Sequence, residues 1–276
     1  MEFLLPYITG LFENTYKDFS KYLQEQIEQN KIVPKIRLEN RGDFDSPKVV
    51  FGMIILNEPF MCALWSFCYY YFVMHEEYVV PYYNEGKQVK NEKLDRAEVL
   101  YRWGMDLKKK YTQWPEEMPN PTLHDANSTV NTVNQIFLYA MDFIMCHEFA
   151  HIDKAPQQGT LIEQEQEADD VAFDLLLRGR DGKNDTIIYL GVIMALACLL
   201  LLRPSAKDSE THPSSISRLD AFMRKIDLPE EHKLWCITTV VLIDWNMRNE
   251  LGYDFPKESD TFKSRYEEMM RIVHNG

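Results

Sequence analysis

The chain has 276 residues, of which 45% are hydrophobic, so it is long enough to bury a sizeable core. Its formal net charge of −13 argues against nucleic acid as a partner, because phosphate binding needs lysine and arginine clustered on one face. The five cysteines show no paired C-x-x-C spacing, which argues against a disulfide framework and a thiolate zinc site and favours a reducing, cytoplasmic setting.

The N-terminal part predicts a helix, two strands and a second helix. Residues 1–30 have helical spacing, and residues 32–38 and 49–56 are predicted as strands. Pro59 suits the first turn of an aromatic-rich helix, and Pro81 is expected to end it. The second strand has two interpretations: an exposed edge that binds an extended substrate by β-addition, or a fully buried strand.

The rest of the chain is predicted to be almost wholly helical. Helices are expected near residues 93–111, 125–153, 161–178, 186–203, 215–226, 229–248 and 258–274. The predicted fold class is therefore mainly α (α+β), with a helical body and a small sheet near the N-terminus. One domain over residues 1–276 is expected, with an N-terminal lobe at 1–90 and a helical catalytic body at 120–276.

One apolar run raises the question of a membrane. It extends from Ile187 to Leu202, between Asp185 and Arg203, and is shorter than the roughly 18 residues that indicate a bilayer span. Helices that are apolar on every side also form the centre of larger domains. We therefore predict a buried core helix and no membrane partner.

A metal-site motif, H-E-x-x-H, is formed by His147, Glu148 and His151. Histidines at i and i+4 project from one helix face and can reach one metal ion, while the glutamate suits a general base. The alternative to a metal site is a chance match to the motif, in which each imidazole forms a hydrogen bond with a backbone carbonyl. Apolar positions at helical spacing run into both histidines and favour the metal site. These positions are Val133, Phe137, Ala140 and Ile144.

The third ligand is predicted on the next helix, because catalytic zinc takes three protein ligands and leaves one position open. Four carboxylates there share a polar stripe: Glu163, Glu167, Asp170 and Asp174. Glu165 instead falls on the apolar stripe, where an unpaired carboxylate would be costly to bury. Asp169 is placed to accept the second ring N–H of a ligating histidine. The alternative is that Glu165 and Asp169 reach solvent on an acidic helix.

A further polar cluster contains His212 and Arg218 at the start of a predicted helix. One interpretation is structural, with serines of this cluster capping the helix. The other is functional, with His212 or Arg218 stabilising the oxyanion that forms when water attacks a peptide carbonyl. The sequence leaves both open.

These motifs resemble those of a known group of peptidases. H-E-F-A-H at 147–151, E-Q-E-A-D at 165–169 and T-H-P-S-S-I-S-R-L at 211–219 resemble the gluzincin pattern H-E-x-x-H, E-x-x-x-D and H-P-x-x-x-x-R. Their order and spacing resemble the Lit-type phage-exclusion peptidases in particular. The strand pair, the aromatic helix and the proline-rich stretch at 114–121 are also similar, so the resemblance extends from about residue 32 to residue 250.

The resemblance implies a zinc endopeptidase with one Zn²⁺ per chain, bound by His147, His151 and Glu165. It assigns Glu148 as the general base and Asp169 as a supporting residue. It also implies a bacterial cytoplasmic protein of anti-phage defence that cleaves a translation elongation factor. The expected partners are a protein substrate and an activating phage or host peptide.

Two other functions fit part of the pattern. A regulatory, repressor-cleaving metallopeptidase also uses H-E-x-x-H, but it needs a DNA-binding partner and this chain has no basic segment of its own. A non-catalytic binding module with a structural metal is the second alternative. Structural zinc sites usually have four protein ligands and are rich in cysteine, and Cys146 beside His147 points off the face that carries the two histidines.

Overall fold

The computed structural model describes most of the chain. The described residues are 4–15, 36–39, 44–51, 53–86, 91–122, 128–153, 159–178, 185–202, 207 and 212–276. Contacts between Cα atoms divide the chain into two compact units, Met1–Ala195 and Leu196–Gly276. The single domain and its two lobes stay predictions.

The first unit begins with helix α1, Leu5–Thr15, and a three-stranded sheet. The strands are β1 (Ile36–Glu39), β2 (Lys48–Val50) and β3 (Met53–Asn57), in the order β1-β3-β2. β3 pairs in parallel with β1 and antiparallel with β2. Consecutive residues of β3 are buried, so both faces of the strand are covered, as its continuous run of hydrophobic residues predicts. The first predicted strand is confirmed where it overlaps β1, and residues 32–35 lie outside the described part of the chain.

The segment 49–56 is a hairpin, so the predicted single strand is wrong. Val50 pairs with Met53, and Phe51 between them has a positive φ of 50° and is 98% exposed. Left-handed backbone at this position suits a two-residue hairpin, and a glycine follows in the sequence. β3 is paired along both edges, so the interpretation of 49–56 as one exposed edge is also wrong.

Helix α2, Glu58–Met74, starts where its sequence predicts. The side chain of Asn57 accepts a hydrogen bond from the Phe60 N–H at 3.0 Å, and Pro59 lies in the first turn. The helix is buried along nearly its whole length, which confirms the aromatic stripe as core. It packs against α4, Glu92–Asp106.

Pro81 does not end this helical region, contrary to the prediction. The chain continues from α2 through a π-helical segment, His75–Val79, into helix α3, Val80–Glu85. Pro81 lies in the first turn of α3, where its missing N–H needs no partner within the helix. The wider π-helical turn shifts the backbone just before the proline, and a local sequence pattern does not reveal that shift.

Three longer helices follow within the part of the chain that the structure describes. They are α5 (Ser128–Asp153), α6 (Leu161–Leu177) and α7 (Asp185–Leu202). Each agrees with its prediction within three residues. α5 packs against α1, α2 and α6 and is therefore the central helix of the first unit.

The second unit contains α8 (Ser215–Lys225), α9 (Lys233–Arg248) and α10 (Phe262–Asn275). The last two begin four residues later than predicted, because His232 and Thr261 cap them. Asp220 of α8 accepts hydrogen bonds from Arg224 and from Tyr266 of α10. The described residues are mainly helical with one small sheet, which confirms the predicted fold class.

Helix α7 is long and apolar enough to cross a membrane by length and composition alone, and 72% of its apolar window is buried in the structure. That burial fits the predicted core helix, since a core helix of a soluble protein passes the same test. We expect the protein to remain in the supernatant when cell lysates are fractionated by ultracentrifugation. Recovery only from detergent-treated membranes would contradict the core-helix prediction.

Candidate metal centre

The central helix α5 carries both histidines of the H-E-x-x-H motif near its C-terminal end. The side chain of His147 is 8% exposed and that of His151 is 21% exposed. Their rings are nearly perpendicular, at 86°, and the two Nε2 atoms lie 3.2 Å apart. The apolar stripe that leads to them is buried, as its helical spacing predicts. The motif thus presents two imidazole nitrogens to one point.

Helix α6 brings a carboxylate to the same point. Thr160 and Glu163 form a capping box that fixes the start of this helix, and these hydrogen bonds lower the pKa of Glu163. Glu163 and Glu167 are exposed, whereas the side chain of Glu165 is only 12% exposed. This burial pattern confirms the helical phase that separates Glu165 from the other carboxylates.

The three side chains converge at nearly equal distances. Glu165 Oε2 lies 3.5 Å from His147 Nε2, and Glu165 Oε1 lies 3.3 Å from His151 Nε2. Among the described residues, His147, His151 and Glu165 are the group of acidic, histidine or cysteine side chains that could hold a metal ion. A metal cation would neutralise the carboxylate and accept the lone pairs of both imidazoles.

The spacing of these atoms fits zinc. In a tetrahedral site with Zn–N distances of about 2.0–2.1 Å, neighbouring ligand atoms lie about 3.3 Å apart. Here the two Nε2 atoms are 3.2 Å apart, Glu165 Oε2 lies 3.5 Å from one of them and Oε1 lies 3.3 Å from the other, so the group is compact enough to surround one ion. Two imidazoles and one carboxylate also make a donor set typical of catalytic zinc.

Asp169 lies on the other side of the His147 ring, one helical turn after Glu165. Its Oδ1 is 2.9 Å from His147 Nδ1, and its side chain is 17% exposed. A carboxylate there favours the tautomer with the proton on Nδ1, which leaves the Nε2 lone pair directed at the cluster. The structure therefore brings Asp169 to the place that the sequence predicts, and its supporting role stays a prediction.

Glu148 follows His147 on α5 and is half-buried. Its role as general base stays a prediction.

His212 and Arg218 lie in the second unit, where His212 is exposed and Arg218 is half-buried. Ser214 caps α8 by accepting a hydrogen bond from the Ser217 N–H at 3.2 Å, as the structural interpretation predicts. A part for His212 or Arg218 in catalysis stays a prediction.

The cysteine next to the motif is not a candidate ligand. Cys146 is fully buried and its Sγ contacts Asp142 Oδ1 at 3.8 Å. Burial, together with the negative charge of Asp142, raises the pKa of the Cys146 thiol well above its usual range, so a thiolate is disfavoured. All five cysteines are free and buried in the structure.

Comparison with known proteins identifies the family. A family model described as Peptidase U49 matches residues 54–238, which is more than half of the chain. The chain belongs to the Peptidase U49 family. Membership of Peptidase U49 shows that the protein is a peptidase, and the matched region contains the H-E-x-x-H motif and the Glu165 helix. No curated protein and no solved structure matches the chain.

Sequence reasoning missed one polar residue close to the motif. Asp142 lies on α5 and is fully buried, and its Oδ2 accepts a hydrogen bond from Thr15 Oγ1 at 2.6 Å. The sequence does contain one feature that points to a buried, hydrogen-bonded carboxylate: Asp142 is an acidic residue inside a long apolar helix, with Cys146 one turn later. Its partner Thr15 is 127 residues away in sequence, so no local pattern predicts the contact.

Metal content distinguishes Glu165 from its neighbours on α6. Replacing Glu165 with alanine should reduce the metal bound by purified protein to near background, because it removes one of three donors. Glu167→Ala is the matched control, since it removes an equal charge from an exposed position half a turn away. Loss of metal in Glu167→Ala with full occupancy in Glu165→Ala would show that the ligand assignment is wrong.

Proposed function

We propose that the protein is a zinc-dependent endopeptidase, with His147, His151 and Glu165 holding one zinc ion. The observation that carries this proposal is the convergence of three donor groups at 3.2–3.5 Å, two from the H-E-x-x-H helix α5 and one from α6, in a chain of a peptidase family. Within the described residues the cluster has three members, which leaves a fourth tetrahedral position for water or substrate. A structural zinc site would normally be closed by four protein ligands.

In this proposal the residues of the chain divide the chemistry among them. Zinc, when bound, supplies Lewis acidity that polarises a peptide carbonyl and lowers the pKa of water. Glu148 takes a proton from the attacking water and delivers it to the leaving amide nitrogen. Asp169 holds the His147 ring so that Nε2 faces the ion. His212 or Arg218 is the candidate donor to the oxyanion.

Metal analysis combined with a proteolysis assay tests this proposal. Purified protein should contain about one zinc per chain, and a zinc chelator should remove both the metal and the cleavage of a susceptible protein. Restoring zinc should restore cleavage. Proteolysis that persists in protein stripped of metal would contradict the metallopeptidase assignment.

The substrate we propose is an intracellular protein, and the resemblance to Lit-type peptidases favours a translation elongation factor in bacterial anti-phage defence. A cytoplasmic location and an activating phage or host peptide belong to the same proposal. Incubation of purified elongation factor with the enzyme, with and without lysate from phage-infected cells, tests both ideas. The expected result is one defined cleavage that depends on the lysate. Intact elongation factor in both samples would reject this substrate.

A further inference from the structure

Helix α1 contacts the metal-binding helix on the side that faces away from the ligands. Successive residues of an α-helix turn by about 100°, so Asp142, Cys146 and Phe149 of α5 form one line. His147 and His151 point roughly the opposite way. α1 packs against α5, and two of its contacts are with residues of that line.

The first contact reaches the motif itself. Phe12 of α1 is 2% exposed and Phe149, the third residue of H-E-F-A-H, is 1% exposed. Their ring centroids are 6.2 Å apart at an interplanar angle of 66°, which is an edge-to-face arrangement. Because Phe149 lies between His147 and His151, any shift of its backbone moves both ligands.

The second contact fixes the same helix about two turns earlier. Thr15, the last residue of α1, donates a hydrogen bond from Oγ1 to Asp142 Oδ2 at 2.6 Å. Asp142 is 0% exposed, and a charged group at that depth is costly unless it is hydrogen-bonded. The Cys146 thiol donates to the other carboxylate oxygen. The hydrogen bond from Thr15 therefore fixes the position of α5 relative to α1.

We infer that α1 is a positioning element for the metal site, acting through Phe12 and Thr15 on the back of the ligand helix. This inference rests on the proposed function. α1 lies N-terminal to the region that the Peptidase U49 model matches, so the contact is not part of what defines the family. Metal ligands must be held within a fraction of an ångström, and residues that support them affect metal affinity without touching the ion.

Zinc affinity and thermal stability, measured on the same variants, test the inference. Phe12→Ala and Thr15→Val should each weaken zinc binding about tenfold in competition with a chromogenic chelator. Ile8→Ala is the matched control, because Ile8 is 0% exposed one turn earlier on the same face of α1. This control should lower the melting temperature of the apo protein comparably and leave zinc affinity at the wild-type value. Thr15→Ser keeps the donor and should restore zinc affinity.

The outcomes separate this inference from the proposed function. Unchanged zinc affinity in Phe12→Ala and Thr15→Val, or an equal loss in Ile8→Ala, would overturn the positioning role while wild-type protein still binds zinc. Wild-type protein that binds no zinc would overturn the proposed function and this inference with it. If Phe12→Ala fails to fold, the comparison of Thr15→Val with Thr15→Ser decides, because Thr15→Val keeps the side-chain shape and removes the donor, whereas Thr15→Ser removes a methyl group and keeps the donor.

Discussion

Glu148→Gln should abolish peptide hydrolysis and leave zinc content and melting temperature near wild type. Glutamine has the size and shape of glutamate but cannot take a proton from water at neutral pH. Loss of a positioned general base typically costs about a hundredfold to ten-thousandfold in rate. Because the role proposed for the carboxylate is on water, and Glu148 is not one of the three converging donors, metal binding should persist.

The matched control for this variant is Glu167→Gln. It makes the same chemical change at an exposed position of α6 and should keep wild-type activity. Both proteins should be assayed together with any activating peptide, since a latent enzyme would make the wild type appear inactive. A confirmed substrate cleaved by Glu148→Gln at the wild-type rate would show that the proposed mechanism is wrong even with zinc bound.

His147→Ala should lose metal and activity together. It removes one of three donors and also leaves the Asp169 carboxylate without its imidazole partner. A ligand present at a hundred times its dissociation constant stabilises the native state by about 2.7 kcal/mol, so zinc should raise the melting temperature of wild type but not of this variant. Thermal melts with added zinc and with chelator measure the difference.

His75→Ala provides the control for a buried histidine outside the metal cluster. His75 is 8% exposed and pairs with Glu76 in the π-helical segment, at 2.8 Å. Its replacement should destabilise the fold but preserve the response of the melting temperature to zinc. A zinc-dependent rise that survives in His147→Ala would show that the ion is bound elsewhere.

Features set by short-range periodicity could be predicted from the sequence. The helical phase of α6 placed Glu165 on the buried face and Glu163 and Glu167 on the exposed face, and the structure confirms that separation. The i, i+4 spacing of His147 and His151 likewise requires only that α5 be helical. Such features depend on residues within one or two turns, so one sequence contains the necessary information.

Other features depend on backbone geometry or on distant partners. The continuous apolar pattern around Phe51 concealed a hairpin, because apolar residues stand on both sides of the turn, in the half-buried end of β2 and in the buried strand β3. Pro81 suggested a helix end, whereas a π-helical turn accommodates it. The contact between Phe12 and Phe149 joins residues far apart in sequence and follows from tertiary packing alone. Periodicity within α1 predicts a buried face but not its partner.

The most direct test of a zinc-dependent endopeptidase is a comparison of new protein N-termini in cells that express the wild type and cells that express Glu148→Gln. Mass spectrometry of labelled N-termini identifies every cleavage, and both strains should be supplied with the same phage or host activator. The account predicts one or a few new N-termini in the wild-type strain that are absent from the Glu148→Gln strain, although both proteins are folded and contain zinc. Identical sets of N-termini in the two strains would contradict it.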